Sequence, residues 1–322
     1  MELETTIAEA IDTADDKAKY DAACKKLLAE KIILAWIMKN TMKEYSSFCV
    51  EKIARNYIEG TPQIAEIPIA PDQTNKTRIS GTGVEDTTIT EGTITYDIRF
   101  FAILPNSKDH VRMIINVEAQ NDFYPGYPLI KRAIYYCSRM ISAQYGTEFT
   151  KSHYEKINKV YSIWICSNPP KERQNSITRY SITEENLFGN VKEAYENYDL
   201  VTAIMICLGK PDSKDTNQLL QLLDVLLSSD SSKEEKKKLL QDNFNIPMTE
   251  QIERTVSEMC NLSKGIEEKG IEQGIEQGVL SSIKNLMEST GWTAERAMEA
   301  LKIPAKEQSK YLSFLMQAKV TE

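Results

Sequence analysis

Between Thr93 and Gln120 the chain reads TITYDIRFFAIL, then PNSKD, then HVRMIINVEAQ. Two runs rich in β-branched and aromatic residues, parted by five turn-forming ones, predict a β-hairpin and little else. With the turn centred between Ser107 and Lys108, partners are residues whose numbers sum to 215, so Leu104 faces Val111 and Asp97 faces Glu118. The side-chain period of two then sorts the residues by face. Tyr96, Ile98, Phe100, Ala102 and Leu104 share one face with Val111, Met113, Ile115, Val117 and Ala119, an apolar surface suited to a core. The other face carries Thr95, Asp97, Arg99, Asn116, Glu118 and Gln120.

Cβ atoms directly across an antiparallel pair lie about 4.5–5.5 Å apart, so an Asp facing a Glu destabilises a bare sheet. A divalent cation reverses that sign. Mg²⁺ takes one or two protein carboxylates and keeps several waters, and a bound metal lowers the pKa of an attacking water and neutralises a phosphoryl oxygen. Asp97 and Glu118 are therefore candidate metal ligands and catalytic residues, with Gln120, two positions on, aimed at the same space. The competing reading is a solvated hairpin face carrying ordinary polar residues.

The rest of the chain frames this hairpin. Apolar residues at helical spacing predict two helices over Lys25–Glu59, another over Tyr127–Tyr145, buried strands at VYSIWICS and VTAIMICLG, and amphipathic helices over Asn217–Leu227, Lys233–Asn243 and Thr249–Leu262. With 322 residues, about two folded units are expected. The expected division is an acidic, flexible N-terminus over 1–20, a main domain over 21–262 and a helical tail over 263–322. No apolar run reaches the roughly 18–20 residues of a membrane helix, and MELETTIAEAIDTADDKAKY lacks the apolar core of a secretory signal, so a cytoplasmic location and no membrane partner are expected. The six scattered cysteines and two histidines suit reduced thiols better than disulfides or zinc.

The formal charge of −8 argues against a generally cationic nucleic-acid coat but leaves room for a local basic face. Tyr127–Val160 supplies one, with Lys131, Arg132, Arg139, Lys151, Lys156 and Lys159 against Glu148 and Glu155. In the tail, KGIEEKGIEQGIEQG repeats glycine at 265, 270, 274 and 278 beside Ile266, Ile271, Ile275 and Val279. Each glycine inside a helix costs about 0.8–1 kcal/mol relative to alanine. Two readings stay open: a packed, self-associating helix that makes the chain a homo-oligomer, or a flexible linker. Two short helices split near Pro304 follow, suited to packing or oligomerisation more than to reading DNA.

The chain contains no GxGxxG, P-loop, HExxH, GxSxG or EF-hand pattern. The order of helix, strand with Asp97 in TYDIRF, strand with Glu118 and Gln120 in NVEAQ, helix KRAIYYCSRM and strand VYSIWIC resembles the PD-(D/E)XK, restriction-endonuclease-like α/β fold: a mixed sheet flanked by helices, here with a helical C-terminal extension. Together with GIEEKGIEQGIEQG, it resembles more narrowly the recombination-promoting nuclease and transposase-like (Rpn) family, over roughly Leu27–Gly278. The resemblance implies a Mg²⁺-dependent DNA endonuclease, with Mn²⁺ as a substitute ion, DNA as partner, Asp97 and Glu118 as metal ligands, and a role in recombination, element mobility or defence. The superfamily's lysine two residues after the Glu is here Gln120, which can neither accept a proton nor carry charge. Lys131 and Arg132 are the candidates to replace it, and with Arg139 to contact DNA. An additional acid from the first core helix is implied, Glu30 or Glu44. A catalytically inactive, oligomeric scaffold of the same fold is the alternative.

Overall fold

The computed structural model describes residues 16–64, 85–88, 92–105, 112–209, 217–227 and 231–318. They fall into two compact units, Lys17–Asn261 and one drawn mainly from Leu262–Glu322.

The first unit opens with three helices: α1 (16–28), α2 (Lys31–Thr41) and α3 (Val50–Asn56). The spacing over Lys25–Glu59 predicts two. The extra break falls at Glu30, whose extended backbone (φ −62°, ψ 129°) turns its carbonyl onto the N–H groups of Ile33 and Leu34 and starts α2 afresh. Residues 16–20, expected in a flexible N-terminus, are helical, and Tyr20 donates its hydroxyl to the Leu227 carbonyl at 2.8 Å. Residues 1–15 of that expected segment lie outside the described residues.

Five strands follow: β1 (Gln63–Ile64), β2 (Glu85–Thr88), β3 (Gly92–Thr95), β4 (Ile98–Ile103) and β5 (Arg112–Asp122), with β2 and β3 forming a separate two-stranded ladder. β4 and β5 are antiparallel in the expected register, Ile98 opposite Val117 and Arg99 opposite Asn116. The turn between them lies outside the described residues. After β5 the helix α4 (Leu129–Ser142) leads to β6 (Val160–Asn168), which lies parallel to β5. Parallel pairing cannot be closed by a tight turn, and α4 supplies the crossover. Then come β7 (Ser176–Ser181), a single turn α5 (Tyr195–Tyr198) and β8 (Val201–Cys207). The six-stranded mixed sheet runs β1-β4-β5-β6-β8-β7, with β7 antiparallel to β8 at the edge. β7 was invisible to apolar patterning because SITRYS pairs on one side only and leaves much of its surface wet.

Both faces of the sheet are covered. On one, Ile98, Phe100, Ala102, Ile115, Val117, Ile163, Ile165 and Ile206 pack with α1–α3 and with α6 (Gln218–Leu227), α7 (Lys233–Phe244) and the start of α8 (Glu250–Thr290). On the other, Ile114, Val160, Trp164, Cys166 and Met205 pack under Ala133, Tyr136, Cys137 and Met140 of α4. The unit is therefore α/β, a mixed sheet between helical layers. One expectation fails at a single residue: Tyr96 lies under α4, not beside Ile98. The run TITYDIRFFAIL is two strands joined through a bend at Asp97, which reverses the alternation. All six cysteines are free thiols, four of them buried and Cys49 exposed. Among the described residues no helix is long and apolar enough to cross a membrane.

In the second unit the glycine repeat is part of one continuous helix, since α8 runs unbroken to Thr290. Gly291 (φ +70°) ends it by donating its N–H to Met287, and α9 (Ala294–Ala300) and α10 (Ala305–Ala318) close over Ile283 through Ala297, Met298 and Tyr311. A Cβ built on Gly274 or Gly278 meets nothing within 4 Å, and Ile271 and Ile275 are 57% and 61% exposed. Among the described residues no helix closes on Gly274 or Gly278. Gly274→Ala and Gly278→Ala are each expected to strengthen the helix by about 1 kcal/mol, measured by hydrogen exchange of the 271–280 amides; slower exchange supports an open helix, and faster exchange with loss of self-association would instead reveal a glycine-mediated contact between copies.

Candidate active site

Asp97 and Glu118 would be the next pair after Ile98–Val117 in the β4–β5 ladder, but the bend at Asp97 stops the backbone pairing there. Side chains take over. The Asp97 N–H donates to Glu118 Oε1 at 3.1 Å, and the Ala119 N–H donates to Asp97 Oδ2 at 3.0 Å. Asn116, fully buried, donates its amide to the same Glu118 oxygen at 3.0 Å, while its Oδ1 has no hydrogen-bond partner. Glu118 itself is only 4% exposed. The solvated-face reading is therefore wrong for this residue, because α4 roofs that face of the sheet.

Two helices bring positive charge to the couple from opposite faces. From α1, Lys25 Nζ lies 2.8 Å from Asp97 Oδ1 and 2.7 Å from Asp21 Oδ2. From α4, Arg132 is held over the rings of Tyr136 and Trp164, and its guanidinium donates to the hydroxyls of Tyr127 (3.1 Å) and Tyr136 (2.7 Å). Burial raises the pKa of Glu118 well above the carboxylate range; Asp97 adds to the effect and Arg132 opposes it. Burial likewise raises Asp97, against the pull of Lys25 and the Ala119 N–H. Burial works against the Lys25 charge, yet Asp97 and Asp21 overcome it and hold its pKa above the ordinary lysine value.

The other expected residues are distributed unevenly. Gln120 turns back on its own strand, donating to the Asp122 carbonyl at 2.6 Å. Lys131 is exposed on α4, one residue before Arg132. Arg139 does not belong to a DNA-facing surface: it is 2% exposed and donates to the Tyr135 hydroxyl at 3.3 Å. Nor does Lys159, whose ammonium is enclosed by Glu44 and Asp199. The local basic face is thus smaller than the sequence suggests. Glu30 accepts from Gln251 at 2.8 Å, and Glu44 accepts from Lys159 and from Tyr161. Neither acid joins the Asp97–Glu118 couple, since among the described residues no three His, Cys, Asp or Glu side chains gather as a metal cluster.

The cation against Asp97 is Lys25, which sequence reasoning overlooked. Its signal was present as an i,i+4 Asp21–Lys25 pair on a helix face; nothing local indicated that this face meets the hairpin. Donor chemistry remains compatible with Mg²⁺: two carboxylates and the unpartnered Asn116 oxygen are all hard oxygen donors.

A carboxyl whose pKa is raised by folding contributes stability that is complete below its unfolded value and lost as pH rises through the folded value. The wild type should therefore lose stability from about pH 4.5 upward, and Glu118→Gln, which keeps an oxygen for both N–H donors, should flatten that loss; parallel melting curves from pH 5 to 8 would contradict the burial assigned to Glu118. Lys25→Met should cost about 3 kcal/mol by stranding Asp97, and Asp97→Asn in the same chain should recover most of it, as read in urea unfolding. Comparison with protein-family models, with curated proteins and with solved structures finds no match to the chain.

Proposed function

We propose that the chain is a Mg²⁺-dependent DNA endonuclease of the PD-(D/E)XK kind, related to the Rpn family, working in the cytoplasm. The observation that carries this reading is the Asp97–Glu118 couple, with Glu118 buried and Asp97 half-buried, set where an antiparallel strand pair passes through a helical crossover into a parallel strand. Burying a carboxyl such as Glu118 beside a second acid is costly, and perturbed carboxylates cluster at functional sites.

Asp97 and Glu118 would hold Mg²⁺, or Mn²⁺ in its place, with Asn116 Oδ1 as a further oxygen nearby. Bound there, the ion would supply Lewis acidity toward a phosphoryl oxygen and a more acidic water. The chain's own cations do the rest. Lys25 brings to Asp97 the ammonium that Gln120 cannot provide. Arg132, fixed by two phenols and two ring faces, offsets charge at Glu118, and the exposed Lys131 beside it meets the DNA backbone. Gln120, whose amide nitrogen is held by the Asp122 carbonyl, would use its side-chain oxygen to orient water or substrate.

One observation favours a second reading. Lys25 already neutralises Asp97 at 2.8 Å, which is what a charge-balanced structural brace in an inactive scaffold would look like. Nicking of supercoiled plasmid separates the two. The nuclease reading expects cleavage with Mg²⁺ or Mn²⁺, none with EDTA, and a fall of at least ~100-fold in rate for Asp97→Asn, Glu118→Gln and Lys25→Met in variants whose circular dichroism is unchanged. Intact supercoiled, linear and single-stranded DNA under all metal conditions would establish the scaffold.

A further inference from the structure

The connection from β7 to α5 holds large apolar side chains in water. Leu187 is 90% exposed, Phe188 99% and Val191 70%. Covering a leucine or phenylalanine is worth about 1.5–3 kcal/mol each, so this placement gains nothing for an isolated chain. The loop is nonetheless well shaped. Glu184 Oε1 accepts the Glu193 N–H at 3.1 Å and Asn186 Oδ1 accepts the Val191 N–H at 2.9 Å, pinning the stem while Gly189 (φ +79°) turns the tip. A tip ordered in advance loses little entropy on docking.

The same unit carries an open pocket of about 470 Å³, within the usual size of ligand sites, whose walls include Phe123, Tyr127, Leu129, Ile130, Tyr180 and Met205. Arg173, also in its wall, stacks on the Phe123 ring at 5.6 Å. The one charged residue in the pocket wall is Arg173, whereas the loop carries three acids, Glu184, Glu185 and Glu193, against Lys192.

We propose that the occupant of this pocket is the 184–191 loop of a second copy of the chain, with Phe188 entering first. Both complementary halves reside in one unit and neither closes on the other, as the exposure of Leu187 and Phe188 shows. A reciprocal exchange, each copy giving a loop and receiving one, produces a closed two-fold dimer. The incoming loop packs against Tyr127, the residue whose hydroxyl holds Arg132, so dimerisation would also brace the wall next to Glu118.

Sedimentation equilibrium of the full chain tests this. A dimer is expected whose dissociation constant rises at least ~10-fold in Phe188→Asp, an exposed position where folding is not at risk. Glu184→Lys should weaken it too, and adding Arg173→Glu should restore it. A photo-crosslinker at position 187 should attach to a peptide spanning 123–130 or 205 of another copy. A monomer at every concentration, a dimer indifferent to Phe188→Asp, charge swaps that fail to rescue, or crosslinks mapping to α8 would each overturn the proposal.

Discussion

Two acids at one end of a hairpin coexist at a cost in desolvation and repulsion, and the first unit meets that cost with N–H donors, with cations from two helices and with a Glu118 carboxyl whose proton is held more tightly than usual. The backbone ladder between β4 and β5 gives way at Asp97, and the peptide N–H groups of Asp97 and Ala119 are satisfied by the two carboxylates. Lys25 arrives from the helical layer on one face of the sheet and Arg132 from the helix on the other. Remove Lys25 and the Asp97 carboxylate loses its partner in a half-buried setting, where the lost pairing costs more than a surface ion pair contributes.

That requirement explains why α4 does three things at once. It is the crossover that makes β6 parallel to β5, it covers the sheet with Ala133, Cys137 and Met140, and it carries Arg132 to the couple. Trp164, directly beside Glu118 in the parallel ladder, is the floor on which the guanidinium rests. A change at Trp164 would therefore disturb packing and charge together, which neighbouring residues in one network commonly do.

Much of this was legible from residue order. Turn residues at PNSKD and the β-branched runs around them set the register, so Asp97 could be placed opposite Glu118 without coordinates. The alternation failed at Tyr96 because a bend, unlike a turn rich in Gly or Pro, leaves no compositional mark. Arg139 and Lys159 read as a basic surface because a charge count along the chain says nothing about burial. The helix through the glycine repeat was one of two open readings, and propensity alone could not choose between them.

Patterning in the chain by itself determined the α/β character, the hairpin and its partners, and the pairing of two acids, because all of these depend on periods of two and 3.6 residues and on local turn chemistry. What only tertiary structure decided was which cations meet those acids and which basic residues stay wet. Lys25 and Asp97 are 72 positions apart, and their contact follows from how α1 docks on one face of the sheet. Long-range contacts of that kind arise from packing between elements, a property of surfaces in three dimensions that no local period encodes.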